Sequence, residues 1–108
     1  MIFKRKRRYI LVEASRGFDI TDGQNWTDLK GELYRFLGEK QYMESNLFPL
    51  KQLDDKRFIV RVSRGAEKHA ILALSFVKKI GPSEIGFYTL KTSGTIRSLI
   101  TQPLSKSI

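Results

Sequence analysis

With 108 residues and 41% hydrophobic content, the chain reads as one small folded domain, too short for a TIM barrel or a complete dinucleotide-binding fold. It has no cysteine, which excludes disulfides, thiolate zinc sites and a cysteine nucleophile. A net charge of +9 points to a polyanionic partner, nucleic acid before an anionic membrane surface.

Residues 1–8 carry Lys4, Arg5, Lys6, Arg7 and Arg8, five cations ahead of the first apolar run. Adjacent like charges repel one another unless an anion neutralises them, so the segment reads as a binding arm rather than a solubilising tail. It lacks the apolar stretch of a signal peptide, and the longest wholly apolar run, Ala70 to Leu74, is far too short to span a bilayer. The expectation is a soluble, cytoplasmic protein. The middle of the chain is acidic: residues 9–55 hold five basic and nine acidic side chains, whereas residues 57–108 hold nine basic and two acidic. If the first strand lies beside later strands, the two basic regions converge into one patch.

Tyr9 to Ala14 is short, apolar and β-branched, and predicts a strand. Gly17 to Asn25 has turn composition. Trp26, Leu29, Leu33, Phe36 and Leu37 then fall at helical spacing, with Asn25 or Thr27 as the cap and Gly38 as the stop. Asn25-Trp26-Thr27 matches a glycosylation acceptor but fits a helix start better. Glu39 to Ser45 is ambiguous. Leu47 to Leu53 and Arg57 to Val62 predict two strands joined at Asp54-Asp55-Lys56, and Pro49 puts the first of them at a sheet edge. Alternation in the second strand sets Phe58, Val60 and Val62 on a core face and Arg57, Ile59 and Arg61 on a basic one.

Ser63 is a cap for a helix over Ala66 to Ile80, with Lys78 and Lys79 in its last turn and Gly81-Pro82 ending it. Ile85 to Thr92 predicts a strand, and Ser93-Gly94-Thr95 opens a short last helix limited by Pro103. The order β-α-β-β-α-β is that of the α+β ferredoxin-like split βαβ sandwich, which RNA-recognition (RRM-like) modules share. Two helices would cover one face of a four-stranded sheet and leave the other face free. Residues 1–8 would be an arm, 9–102 the domain and 103–108 a tail.

Candidate RNA-binding residues are Lys4 to Arg8, Arg57, Arg61, Arg64, Lys91 and the Ser93-Gly94-Thr95-Ile96-Arg97 turn. In that turn, hydroxyls and backbone N–H groups suit a phosphate oxygen, although plain helix capping uses the same groups. Lys68 adds a further cation, and Tyr9 and Tyr88 are candidate stacking rings. The strand around Phe58 lacks the Gly and aromatic placement of the RRM signature, so shape and backbone recognition are expected more than base reading. His69 has no partners that complete a triad or metal triplet, and it reads as a structural or surface histidine. Asp54-Asp55, or Asp19 with Asp22, could hold Mg²⁺ in a nuclease, but both pairs lie in turns where Asp is expected anyway. Ile71, Leu72, Leu74, Phe76 and Val77 belong to a segment apolar on more than one helical face, which suggests a protein–protein interface.

Arg8 to Glu13 after a basic lead, Arg57-Phe58-Ile59-Val60-Arg61, and Thr89 to Arg97 with its Ser-Gly-Thr-Ile-Arg run together resemble ribonuclease P protein component 2, the archaeal relative of the eukaryotic Pop-five protein. The resemblance runs through the chain in order, most specifically at Ser93 to Arg97. It implies a ferredoxin-like fold and a non-catalytic place in a ribonucleoprotein that removes the 5′ leader of precursor tRNA. It also implies that the ribonuclease P RNA performs the Mg²⁺-dependent cleavage, with no cofactor held by this chain. The implied protein partner is component 3, as a two-plus-two assembly, beside other ribonuclease P proteins. Ser98 to Pro103 is nearly neutral, unlike the basic helix of the family, so no RNA contact is carried past Arg97.

Overall fold

In the computed structural model, which describes residues 6–100, the first apolar run becomes β1 (Arg7–Ala14) at the centre of a sheet. Lys4, Arg5 and the tail lie outside the described residues. The other large-sheet strands are β2 (Phe48–Gln52), β3 (Arg57–Ser63) and β6 (Phe87–Ser93), in the spatial order β2-β3-β1-β6 with every pair antiparallel. The helices are α1 (Gly23–Leu37), α2 (Glu39–Ser45), α3 (Glu67–Phe76) and α4 (Ile96–Ile100). A small hairpin of β4 (Lys79–Ile80) and β5 (Ser83–Glu84) precedes β6. This is the split βαβ sandwich, with Pro49 on an edge strand where its missing N–H breaks no inner ladder.

Alternation sends Ile10, Val12 and Ala14 of β1 and Phe58, Val60 and Val62 of β3 to one face, where they meet Leu29 and Leu33 of α1 and Ala70, Ala73 and Leu74 of α3. Phe18, Phe58 and Phe87 close this core at one end, with ring centroids 5.2 to 6.0 Å apart. The opposite face is not free, contrary to expectation. There α4 lays a fully buried Leu99 on Leu11 and Ile59, ringed by half-buried Tyr9, Leu50, Leu53 and Ile96. Leu11 and Ile59 are too apolar to leave in water, and the chain after β6 covers them. This also explains why Ile10, Leu11 and Val12 are all buried: β1 is covered on both faces.

Several boundaries differ from the sequence pattern. Helix α1 starts one turn early, because the Asp22 carboxylate, rather than Asn25 or Thr27, accepts from the N–H groups of Gln24 (2.8 Å) and Asn25 (3.3 Å). The ambiguous Glu39–Ser45 segment is helical after Gly38, whose φ of 86° turns the chain between two helices. Helix α3 stops at Phe76 rather than Ile80, and its N-cap is Ala66, with no side-chain cap from Ser63. Lys78 and Lys79 therefore leave the helix. Gly81, at φ 60°, turns the β4–β5 hairpin, which returns the chain to bury Ile85 against the core.

Candidate nucleic-acid interface

Antiparallel pairing decides which cations meet. β1 begins where β3 and β6 end: Arg7 is opposite Ser63, Tyr9 is opposite both Arg61 and Ser93, and Arg64 N–H donates to the Lys6 carbonyl at 3.0 Å. Lys6, Arg7, Arg8, Arg61, Arg64 and the Ser93–Thr95 turn thus share one end of the sheet. Arg8 reaches the turn directly, since a Cβ placed on Gly94 would lie 3.6 Å from its Nη1. Its Nε forms an ion pair with Glu67 Oε2 at 3.1 Å without making a hydrogen bond. Glu67, whose other oxygen accepts from the Gly65 N–H, is an acid set among these bases.

The Ser-Gly-Thr turn is built as a cap. Ser93 Oγ accepts from the Thr95 N–H at 3.1 Å, and Thr95 Oγ1 accepts from the Ser98 N–H at 3.3 Å. Those bonds start α4, which carries Leu99 onto the sheet. Both hydroxyls keep an O–H to donate. Lys91 is opposite Leu11 on the α4 side of the sheet, and Arg97 is exposed on α4 itself.

The Rpp14/Pop5 family model matches residues 8–102. The chain belongs to this family of ribonuclease P proteins. In the Rpp14/Pop5 chain the matched span takes in β1, the paired strands and the Ser93–Arg97 turn. A chain of the cryo-EM structure of yeast ribonuclease MRP has a similar fold, with a TM-score of 0.61 and 17% sequence identity over 88% of this chain and 79% of that one. No curated protein sequence matches.

The remaining candidates of this Rpp14/Pop5 chain fall elsewhere. Arg57 sits at the far end of the sheet, opposite Glu13, with its Nε and Nη2 each 2.9 Å from Asp54 Oδ2. The other oxygen of Asp54 accepts from the Lys56 and Arg57 N–H groups, both at 2.9 Å. The Lys56 bond foremost, aided by those of Arg57, holds the Asp54 carboxyl below its usual range. Asp19 is likewise held down, first by the Thr21 hydroxyl, and Asp22 caps α1. Asp54, Asp19 and Asp22 therefore serve turns and a cap, and no group of three or more metal-ligating side chains occurs among the described residues. His69 is exposed beside Gln41, 3.2 Å away. No helix among the described residues is long and apolar enough to cross a membrane.

The expected apolar interface divides. Leu74 and Val77 are buried in the chain's own core, and Ile71 packs against it, because α3 lies directly on the sheet. Leu72 and Phe76 remain outward, and Phe76 stacks on the exposed Phe36 of α1 at 4.9 Å. Of the two candidate stacking rings, Tyr9 is half-buried against Leu99 and its neighbours, and Tyr88 is exposed but stands at the far end. The ring that does stand beside the cations is Phe48, 46% exposed and opposite Arg61 on β3. Pro49 already marks this strand as an edge, but only the β2–β3 register sets Phe48 opposite Arg61.

Proposed function

We propose that this chain is a non-catalytic, RNA-binding subunit of a ribonuclease P-type ribonucleoprotein, of the archaeal component 2 kind, assisting removal of the 5′ leader from precursor tRNA in the cytoplasm. The observation that carries this reading is the gathering of Lys6, Arg7, Arg8, Arg61 and Arg64 at one end of the sheet in an Rpp14/Pop5 chain. The kinship of its fold with a chain of yeast ribonuclease MRP supports a place in such an assembly. Cations clustered this way neutralise crowded phosphates, so the RNA subunit would need less Mg²⁺ to fold and to hold an anionic substrate. In this reading the RNA performs the cleavage with Mg²⁺. The exposed Leu72, Phe76 and Phe36 supply the apolar contact for component 3 in a two-plus-two assembly.

The test is to crosslink the protein to RNA in its native cell and sequence what is attached. Enrichment of one structured RNA is expected, and reconstituting it with this chain and component 3 should trim precursor tRNA at lower Mg²⁺ than the RNA alone. Recovery of ribosomal RNA alone would instead assign the chain to the ribosome or another structured RNA.

A further inference from the structure

Where α4 stops covering the sheet, the basic end holds a cleft of about 400 Å³ lined by Arg7, Asn46, Phe48, Arg61 and Ser63. Phe48 is 46% exposed, so burial in the core does not account for it. The Arg61 guanidinium carbon lies over the Phe48 ring, 4.7 Å from its centroid, so one face of the half-exposed ring carries a cation. Asn46 donates from Nδ2 to Ser63 Oγ at 2.9 Å, which ties the turn before β2 to the end of β3. Asn46 holds a left-handed φ of 50°, so the turn presents Phe48 from a defined position.

We propose that this cleft binds one unpaired nucleotide of RNA, its base stacked on the Phe48 ring at the face away from Arg61 and its phosphate held by the Arg7 and Arg61 guanidiniums. Two observations select this ligand. The volume lies at the lower end of the ~300–1,000 Å³ typical of small-molecule sites, enough for a single nucleotide. The ring offers a π face that, among the groups of an RNA, an unstacked base can use, since a duplex keeps its bases inside. A partner protein's carboxylate would satisfy the guanidiniums but would leave the ring in water. The proposal rests on the RNA-binding reading above and sharpens it from backbone neutralisation to a base-stacking contact.

The experiment is fluorescence anisotropy of the full chain with a labelled single-stranded oligouridylate and, separately, a blunt RNA duplex, each across a salt series. Phe48→Ala should weaken single-strand binding roughly tenfold while leaving duplex affinity and both salt slopes unchanged, and Phe48→Trp should restore it. Arg61→Lys keeps the charge but loses the plane, and should weaken single-strand binding several-fold at an unchanged slope. Phe48 is half exposed, so circular dichroism should report a folded variant. If wild type binds both RNAs and Phe48→Ala binds them equally well, the nucleotide site is wrong and the RNA reading survives. If wild type binds neither RNA at low salt, the RNA reading falls and the site falls with it. If Phe48→Ala keeps its RNA affinity but loses component 3, the cleft is a protein contact.

Discussion

The two ends of the same sheet carry opposite chemistry. At one end, the start of β1 meets the ends of β3 and β6 and gathers Lys6, Arg7, Arg8, Arg61 and Arg64. At the other, Asp19, Asp28, Asp54 and Asp55 line a cleft of about 760 Å³ with Arg16. β1 separates the ends by roughly 25 Å, well beyond a Debye length at physiological salt, so a polyanion meets two distinct fields. At the basic end, among the described residues, Glu67 is the one acid that pairs with a cation, Arg8. At the acidic end, charge is spent on turns: Asp54 holds Arg57 and two backbone N–H groups, and Asp22 caps α1. A cluster of charge is a candidate site where the fold leaves it unsatisfied, and a structural device where local hydrogen bonds absorb it.

The largest effect should come from reversing the basic end. Arg7→Glu, Arg61→Glu and Arg64→Glu together should lower the slope of log affinity for RNA against log salt by about three, a loss of about 500-fold at 0.1 M salt. Arg57→Ala, at the other end, should leave that slope unchanged. An equal loss from Arg57→Ala would erase the distinction between the ends.

Next is the plug on the sheet face between them. Leu99→Ala opens a void against Leu11 and Ile59 and should cost about 2–5 kcal/mol, read by urea denaturation. A loss under about 0.5 kcal/mol would mean that α4 does not hold that face.

The acidic end should show itself in acid. The folded carboxyl of Asp54 titrates below the ordinary aspartate value, so its contribution is full above that value and is lost as pH falls through the folded pKa. Asp54→Asn should therefore lower the thermal midpoint at neutral pH, by an amount equivalent to no more than about 1 kcal/mol for so exposed a pair. The difference from wild type should shrink as pH falls through the folded pKa of Asp54. A difference that persists undiminished at low pH would assign the effect to shape rather than charge.

Smallest is Gly31→Ala on the outer side of α1, where an added Cβ meets nothing within 4 Å. It should raise stability by about 0.5–1 kcal/mol and leave RNA affinity alone.

The elements that read clearly in the sequence were those whose pattern is local. β1, β3 and the body of α1 follow from apolar periodicity, and Pro49 marks an edge by its missing donor. The errors arose where a distant partner decided the outcome. The apolar period of α3 continues past Phe76, yet Val77 and Ile80 serve the core from an extended segment and a hairpin. Leu74 and Val77 looked like interface residues because periodicity shows that a helix is apolar all round but not which neighbour covers it. Phe48 and Glu67 gain their roles from a residue on another element, Arg61 and Arg8, which no local pattern shows.

The sequence alone determined a basic, cysteine-free split βαβ fold with cations ahead of its first apolar run and throughout its second half, because composition, periodicity and turn chemistry act over a few residues. Tertiary structure decided which of those cations stand together. Antiparallel register folds residues more than fifty positions apart onto one edge, sends Arg57 to the other, and lets α4 close the face that the strand pattern left open.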